Sequence, residues 1–594
     1  MAFNDTANDT TSGHQPPEYH LQIGEKHSDQ QHTSGKVHSE LHGEDAFRLM
    51  YLMPGSGDDE IHIRLQTVFL QHSPSYEAIS YVWGDVSRNE SIQSETGLLY
   101  VTKNLVDALR AIRLPDRERC LWADAICIDQ NNILERNHQV KQMAQLFANA
   151  RNVLVWLGVD QNELALGAFH CARLLASPTR RDELLRDPDY SRHAIDLLNS
   201  LAARAWFQRI WTTQEIGLAS QATCLCGGSA IEWPVLTAAY DHLIVHPLSR
   251  RFMSHTSRVR LRVLAQKWEP TTDLTFLDLL ESIQNRTSTD PRDRIFALLA
   301  HPSAFLRDNN AGPARSIIEA DYRLSLYQVF TRAAKGIMQQ SCNLDVLSHV
   351  RRGGTPRWLP SWVPAWNEAQ SASPLTSQRF LNACGASHGS FDHYMPNFSA
   401  EGELRTNGVC CDRVSHVLLD HCSLHAIFRW RDNFASIGDT SGADLEAWTD
   451  SVCQMLTDEA EPPGTSRDEM DAIGLEEIRD MFNEMGTVPK KVEQFHHLLN
   501  LVSTAMTADD QRRFFVTEAG RIGLALCGSL FRSAYDRPQA GDGVFVLECG
   551  RVPYLLRLGV GDKYRLIGDC YIESLMNGEA WTVRFARRQP VTIV

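Results

Sequence analysis

The sequence predicts an α/β chain: a parallel sheet flanked by helices, then a helical region, then a small β-rich module. Three observations carry this reading. Short apolar runs at 79–83 (ISYVW), 121–123 (LWA) and 153–157 (VLVWL) alternate with segments of helical period, as parallel strands covered on both faces do. The chain after residue 246 opens with helical spacing and then becomes Trp- and Pro-rich. Residues 513–585 break into short β runs at Gly520, Gly541-Asp542-Gly543 and Gly559–Gly561, which predicts a small barrel or sandwich. At 594 residues the chain is too long for one hydrophobic core. The expected division is a disordered tail (1–43), an α/β domain with an N-terminal hairpin (44–245) and a helical, Trp/Pro-rich middle (246–400). A C-terminal region (401–594) follows, with an acidic helical insert (438–510) ahead of the β-rich module.

Taken in order, residues 1–43 are polar, and His14, His20, His27, His32, His38 and His42 lack any fixed ligand spacing; such a segment cannot build a core. Residues 47–70 alternate and break at Pro54-Gly55-Ser56-Gly57, a hairpin signature. Residues 76–85 (YEAISYVWGD) read as a strand ending in Gly-Asp, and 98–102 as another short strand. Leu105, Leu109 and Ile112 mark one face of a helix. The apolar run 120–128 then meets a polar turn. Asn132 followed by Glu135 resembles a capping box, and Val140, Met143, Phe147 and Ala150 recur at the spacing of a buried helix face. Residues 222–226 predict a strand, Gly227-Gly228 a turn and 233–245 a helix.

Beyond the domain, Asp290-Pro291-Arg292-Asp293 can start a helix, and its Asp/Arg pairs read as a lock between domains. The sequence LPSWVPAWN at 359–367 reads as a packing clamp of Trp and Pro. The formal net charge of −15 argues against broad nucleic-acid binding, which wants a basic face. No apolar run approaches the ~18 residues of a membrane span. The start MAFNDTANDT has no apolar secretory core, and the 14 scattered Cys fit reduced thiols of a cytoplasmic protein. Cys224/Cys226 and Cys410/Cys411 have no second half at zinc spacing, so no metal site is expected.

The stretch 204–218 (RAWFQRIWTTQEIGL) says most about chemistry. At helical period Phe207, Ile210, Trp211, Gln214 and Leu218 share one side, Arg209 lies opposite, and Glu215 sits on the shoulder of the aromatic stripe. A carboxylate there loses water, which raises its proton affinity unless a cation or donors offset the burial. Catalysis and a structural ion pair with a nearby Arg both fit that pattern.

Three blocks resemble the HET (heterokaryon incompatibility) domain of filamentous fungi: YEAISYVWGD at 76–85, LWADAICIDQNN with ER-x2-QV at 121–140, and WFQRIWTTQE at 206–215. Flanking pieces extend the resemblance over roughly 46–585. The HET domain is in turn similar to the Toll/interleukin-1 receptor (TIR) fold, a flavodoxin-like α/β domain. The resemblance implies a first strand at 79–83, a second at 121–124 and a third at 153–157. In TIR domains that cleave NAD, a Trp precedes the catalytic Glu by four residues; Trp211 and Glu215 have that spacing. Thr212 stands where Cys usually follows the Trp, and about 45 residues separate the third strand from this motif.

The resemblance thus implies Glu215 as catalytic carboxylate, with Trp83, Gly84, Asp85, Asp129 and Trp211 binding substrate. NAD or NADP would be the substrate, with no cofactor. It implies a non-self recognition effector that triggers regulated cell death, self-associates through the HET domain and answers to an incompatibility partner. The alternative is a non-catalytic signalling or self-association module of the same pathway. Trp83 and Trp211 as plain core, and Asp129 as a helix cap, are the structural alternatives. The chain beyond 245 is expected to restrain the HET domain.

Overall fold

The computed structural model describes residues 37–84, 90–160, 163–245, 267–268, 274–306, 315–350, 358–368, 383–384, 396–400, 402–417, 512–526, 537–572, 575–576, 578–582 and 588–594. The chain divides into two compact units, Pro17–Val329 and Phe330–Val594.

The first unit is built on nine strands: β1 (Ala46–Leu52), β2 (His62–Phe69), β3 (Glu77–Ser80), β4 (Glu90–Ser94), β5 (Gly97–Val101), β6 (Arg119–Trp122), β7 (Asn152–Trp156), β8 (Ala222–Cys226) and β9 (Ser229–Glu232). They form one sheet in the order β5-β4-β2-β1-β6-β3-β7-β8-β9. At its centre β6, β3, β7 and β8 run parallel, a spatial order of 2-1-3-4. Every residue of β3 and all but the first of β7 are buried, because both faces are covered. The expected hairpin is β1–β2. It extends the same sheet, pairing antiparallel with β6, and β4–β5 and β8–β9 are also antiparallel. The sheet is therefore mixed where the sequence suggested parallel strands. Hairpin turns are too short for the crossovers that parallel neighbours need.

Helices fill the crossovers: α1 (Lys103–Ile112), α2 (Asp124–Cys127), α3 (Ile133–Asn149), α4 (Leu164–Ala176), α5 (Pro178–Arg186), α6 (Pro188–Ala202), α7 (Thr212–Gly217) and, after β9, α8 (Trp233–Val245). In α1 Leu105, Leu109 and Ile112 are buried as their spacing requires. Asn132 caps α3 by accepting from the backbone of Leu134 and Glu135 at 3.2 Å. The returning half of the capping box is not made. The Glu135 carboxylate instead accepts from the Asp129 amide at 2.7 Å and from buried Arg48 at 2.5 and 3.0 Å. The tail reading concerns residues outside the described ones up to position 36; residue 38 is placed, with its ring Nε2 2.8 Å from the Ile126 carbonyl.

Three local readings change. The first strand stops at Ser80, because the next carbonyls are taken by side chains: Tyr81 O accepts from Arg209, and Val82 O from Asn104 at 2.6 Å. The apolar run 120–128 is β6 followed by the single turn α2. The stretch 204–218 is not one helix. A 3-10 turn, Ala205–Gln208, is separated from α7 by Arg209, which is extended (φ −71°, ψ 142°). The Asp290-Arg292 pair (2.6 Å) does act as a lock, but inside this unit: Arg292 also donates to the carbonyls of Tyr322 and Leu324 at 2.6 and 2.9 Å.

The second unit carries β10 (Asn397–Phe398), β11 (Leu404–Val417), β12 (Arg512–Thr517), β13 (Ile522–Leu526), β14 (Gly543–Leu547), β15 (Tyr554–Leu558), β16 (Tyr564–Tyr571) and β17 (Gln589–Ile593). Pairing runs β11-β12-β13-β16-β15-β14 and returns from β14 to β11, so the sheet closes on itself as a barrel. Closure depends on β11 bending at two register shifts, one against β14 and one against β12. The module thus begins ahead of the acidic insert; the insert lies outside the described residues. Trp362 is fully buried, donates to the Gly402 carbonyl at 3.1 Å and packs on Phe398, as a clamp should. Among the described residues there is no disulfide, and no helix is long and apolar enough to cross a membrane.

Candidate active site

Parallel α/β sheets present ligand-binding groups at the carboxyl ends of their strands. At that end of β3 lies Ser80, fully buried, and against it the carboxylate of Glu215. Glu215 does not sit on a shoulder: all six residues of α7 are buried. Glu215 Oε2 accepts from Ser80 Oγ, and Trp206 Nε1 donates to the same Oγ at 2.7 Å. An indole N–H can only donate. The one Ser80 hydroxyl proton is therefore directed at Glu215, which favours the ionised carboxylate.

Burial works the other way and, with the Asp124 charge adding to it, outweighs the Arg209 charge and the Ser80 hydrogen bond that lower it, so Glu215 is pushed up to about 7. Arg209 spends a donor on the Tyr81 carbonyl, and among the described residues no ion pair joins it to Glu215. Among the described residues the structural alternative, an Arg–Glu215 ion pair, is not formed. Ile79, Tyr81, Trp122, Asp124, Arg209 and Glu215 line a narrow cleft with no room for a water.

The residues expected in the site separate. Trp83 is half-buried beside it, its Nε1 donating to Asp124 Oδ2 at 2.9 Å. Gly84 follows at φ +72°, a backbone conformation that favours glycine. Asp85 lies outside the described residues. Asp129 bonds locally: Oδ1 accepts from the Asn131 amide at 3.2 Å and its carbonyl from the Asn132 amide at 3.0 Å, as a cap for the turn into α3. Trp211 is half-buried at the N-cap of α7, and its indole hydrogen-bonds Asp293. The sequence reading missed Ser80, Asp124, Trp206 and Arg209. Ser80 could have been found as the one polar side chain near the end of an apolar strand.

The family model of heterokaryon incompatibility protein (HET) matches residues 76–215, from the residue before β3 to the carboxylate of the site. Heterokaryon incompatibility protein 6, OR allele, from Neurospora crassa is 27% identical over 361 residues, covering 50% of this chain and 52% of that protein. The chain thus spans about half the length of that curated relative. No solved structure matches.

Proposed function

The chain carries a HET domain over residues 76–215, and we propose that it acts in heterokaryon incompatibility as an effector of regulated fungal cell death that hydrolyses NAD or NADP. The observation that carries this reading is the buried, Ser80-bound Glu215 with no ion-pair partner among the described residues, at the carboxyl end of a central strand. The 2-1-3-4 order of the parallel strands supports a TIR/flavodoxin-like assignment.

In the reaction the bond between ribose C1′ and the nicotinamide nitrogen breaks, and nicotinamide leaves with the electron pair. Positive charge develops on the sugar. Ionised Glu215 stabilises it, as carboxylates do in glycoside hydrolysis. Water adds to C1′ and releases a proton, giving ADP-ribose from NAD or its 2′-phosphate from NADP. Trp83, held by Asp124, offers a face for stacking, and Gly84 follows it at the end of the strand. Trp211 and Asp129 act in placing α7 and the α3 turn.

The narrowness of the cleft favours the second reading, a non-catalytic self-association module, since a dinucleotide enters only if the cleft widens. Nicotinamide release separates the two. The full chain, incubated with NAD or NADP at low and high protein concentration, releases nicotinamide if the first reading holds, with specific activity rising as HET domains associate. No release at any concentration contradicts it.

A further inference from the structure

We infer that Trp268 and residues 274–298 of the first unit act as a strap that positions the Glu215 helix, with Arg286 as its principal positioning residue. The need is plain from α7 itself. Six residues make less than two turns, and a helix that short does not hold itself. The chain before it is irregular and partly buried, with Trp206, Phe207 and Ile210 inside, so backbone groups there must find partners elsewhere.

The strap supplies them. Arg286 is 2% exposed, and its guanidinium donates to the carbonyls of Phe207 at 3.3 Å and Arg209 at 3.1 Å, and to Thr212 Oγ1 at 3.3 Å. One guanidinium nitrogen, Nη1, thus bridges the 3-10 turn, the extended Arg209 and the first residue of α7. The adjacent backbone pairs as well. The Thr287 amide donates to Gln208 O at 2.6 Å, and the Ile210 amide donates to Thr287 O at 3.0 Å. The Trp211 indole is tied to Asp293, which also accepts from Tyr322 Oη at 2.6 Å. At the far end of α7 the Trp268 amide donates to Gly217 O at 2.9 Å. The Trp268 indole lies so close that a Cβ on Gly217 would come within 2.6 Å of it. All of these residues lie beyond the span that the family model matches, except those on α7 and its approach.

This part of the chain supports the carboxylate, a role separate from the restraint that the sequence suggested for the chain beyond 245. The catalytic half of the inference rests on the hydrolase reading; the positional half does not.

Three full-length variants test it: Arg286→Ala, Arg286→Lys and Asp293→Asn. Hydrogen exchange is followed by peptide and nicotinamide release in parallel. Arg286→Ala is expected to speed amide exchange across 207–217 by about tenfold or more, with β1 and the barrel strands unchanged. The kcat for nicotinamide release should fall about a hundredfold, with KM moving less, as for a misplaced catalytic group. Arg286→Lys should recover only part of both effects, because the shorter lysine side chain ends its ammonium a bond short of the Nη1 position. Asp293→Asn keeps the buried guanidinium and should loosen the same peptides; it decides the matter if Arg286→Ala does not fold. Unchanged exchange over 207–217 in a folded variant overturns the strap. Loosened exchange with unchanged kcat overturns its catalytic role. A wild-type protein that releases no nicotinamide defeats the hydrolase reading alone, and the exchange data still judge the strap.

Discussion

The two ends of β3 carry buried glutamate chemistry of opposite kinds. At the amino end Glu77 bonds Arg119 at 2.6 Å and lies 3.5 Å from Arg151. Burial alone would raise its proton affinity, but the Arg119 bond and charge, with Arg151, outweigh it and hold Glu77 below the usual carboxylate range. At the carboxyl end, three residues along, Ser80 meets Glu215. There burial wins and the proton affinity rises. A satisfied pair is a structural fixture. A carboxylate left without one inside a low-dielectric cleft is poised to act on charge that arrives later. One strand thus separates a paired glutamate from one that has no ion pair among the described residues.

That contrast can be broken by exchanging the carboxylates for amides. Glu215→Gln should lower nicotinamide release by 10²- to 10³-fold, the scale of losing one group aimed at transition-state charge. Glu77→Gln should do the reverse, sparing activity per folded molecule while stranding Arg119. Its cost should be about 2 kcal/mol in urea unfolding, below the roughly 3–5 of a fully buried pair, because both arginines keep solvent contact. Equal activity losses in the two variants would erase the distinction.

Acid–base titration of stability sharpens it. Glu215 binds its proton more tightly folded than unfolded, so its contribution is full below 4.5 and is lost as pH rises through about 7. Glu77 behaves oppositely: its contribution is present above 4.5 and is lost as pH falls through its lowered folded value. Unfolding followed across this range in the two amide variants should therefore lose slope at opposite ends. Smaller effects should follow at the partners. Arg209→Ala removes a charge that favours ionised Glu215, so the activity profile should move to higher pH, read from initial rates. Asp129→Asn should be nearly silent in the same assay, since its bonds are those of a local cap; a large loss would return it to the site.

How far the sequence went depends on the reach of each interaction. Strand β8 and helix α8 fall at their predicted positions, because period and turn residues are local signals. The end of β3 and the break at Arg209 were not legible. Both are set by Arg209 reaching the Tyr81 carbonyl across 128 residues. The partner of Glu215 was invisible for the same reason, since Ser80 is 135 residues away. Glu215 itself was legible as a carboxylate in an aromatic stripe, and the direction of its titration followed from burial alone. The β-rich module was read from its glycine turns, with barrel and sandwich both left open. Its closing strand β11 was missed because it is separated from β12 by residues 418–511.

The most direct test of the central claim measures nicotinamide release and thermal melting on one preparation, from pH 5 to 9, for the wild type and Glu215→Gln. An ionised Glu215 that acts on the sugar predicts wild-type release rising through about pH 7. The variant should show almost none, and above that pH its melting temperature should equal or exceed the wild type's, since it carries no buried charge. A variant that still releases nicotinamide, or one that loses activity only together with its melting temperature, would contradict the account.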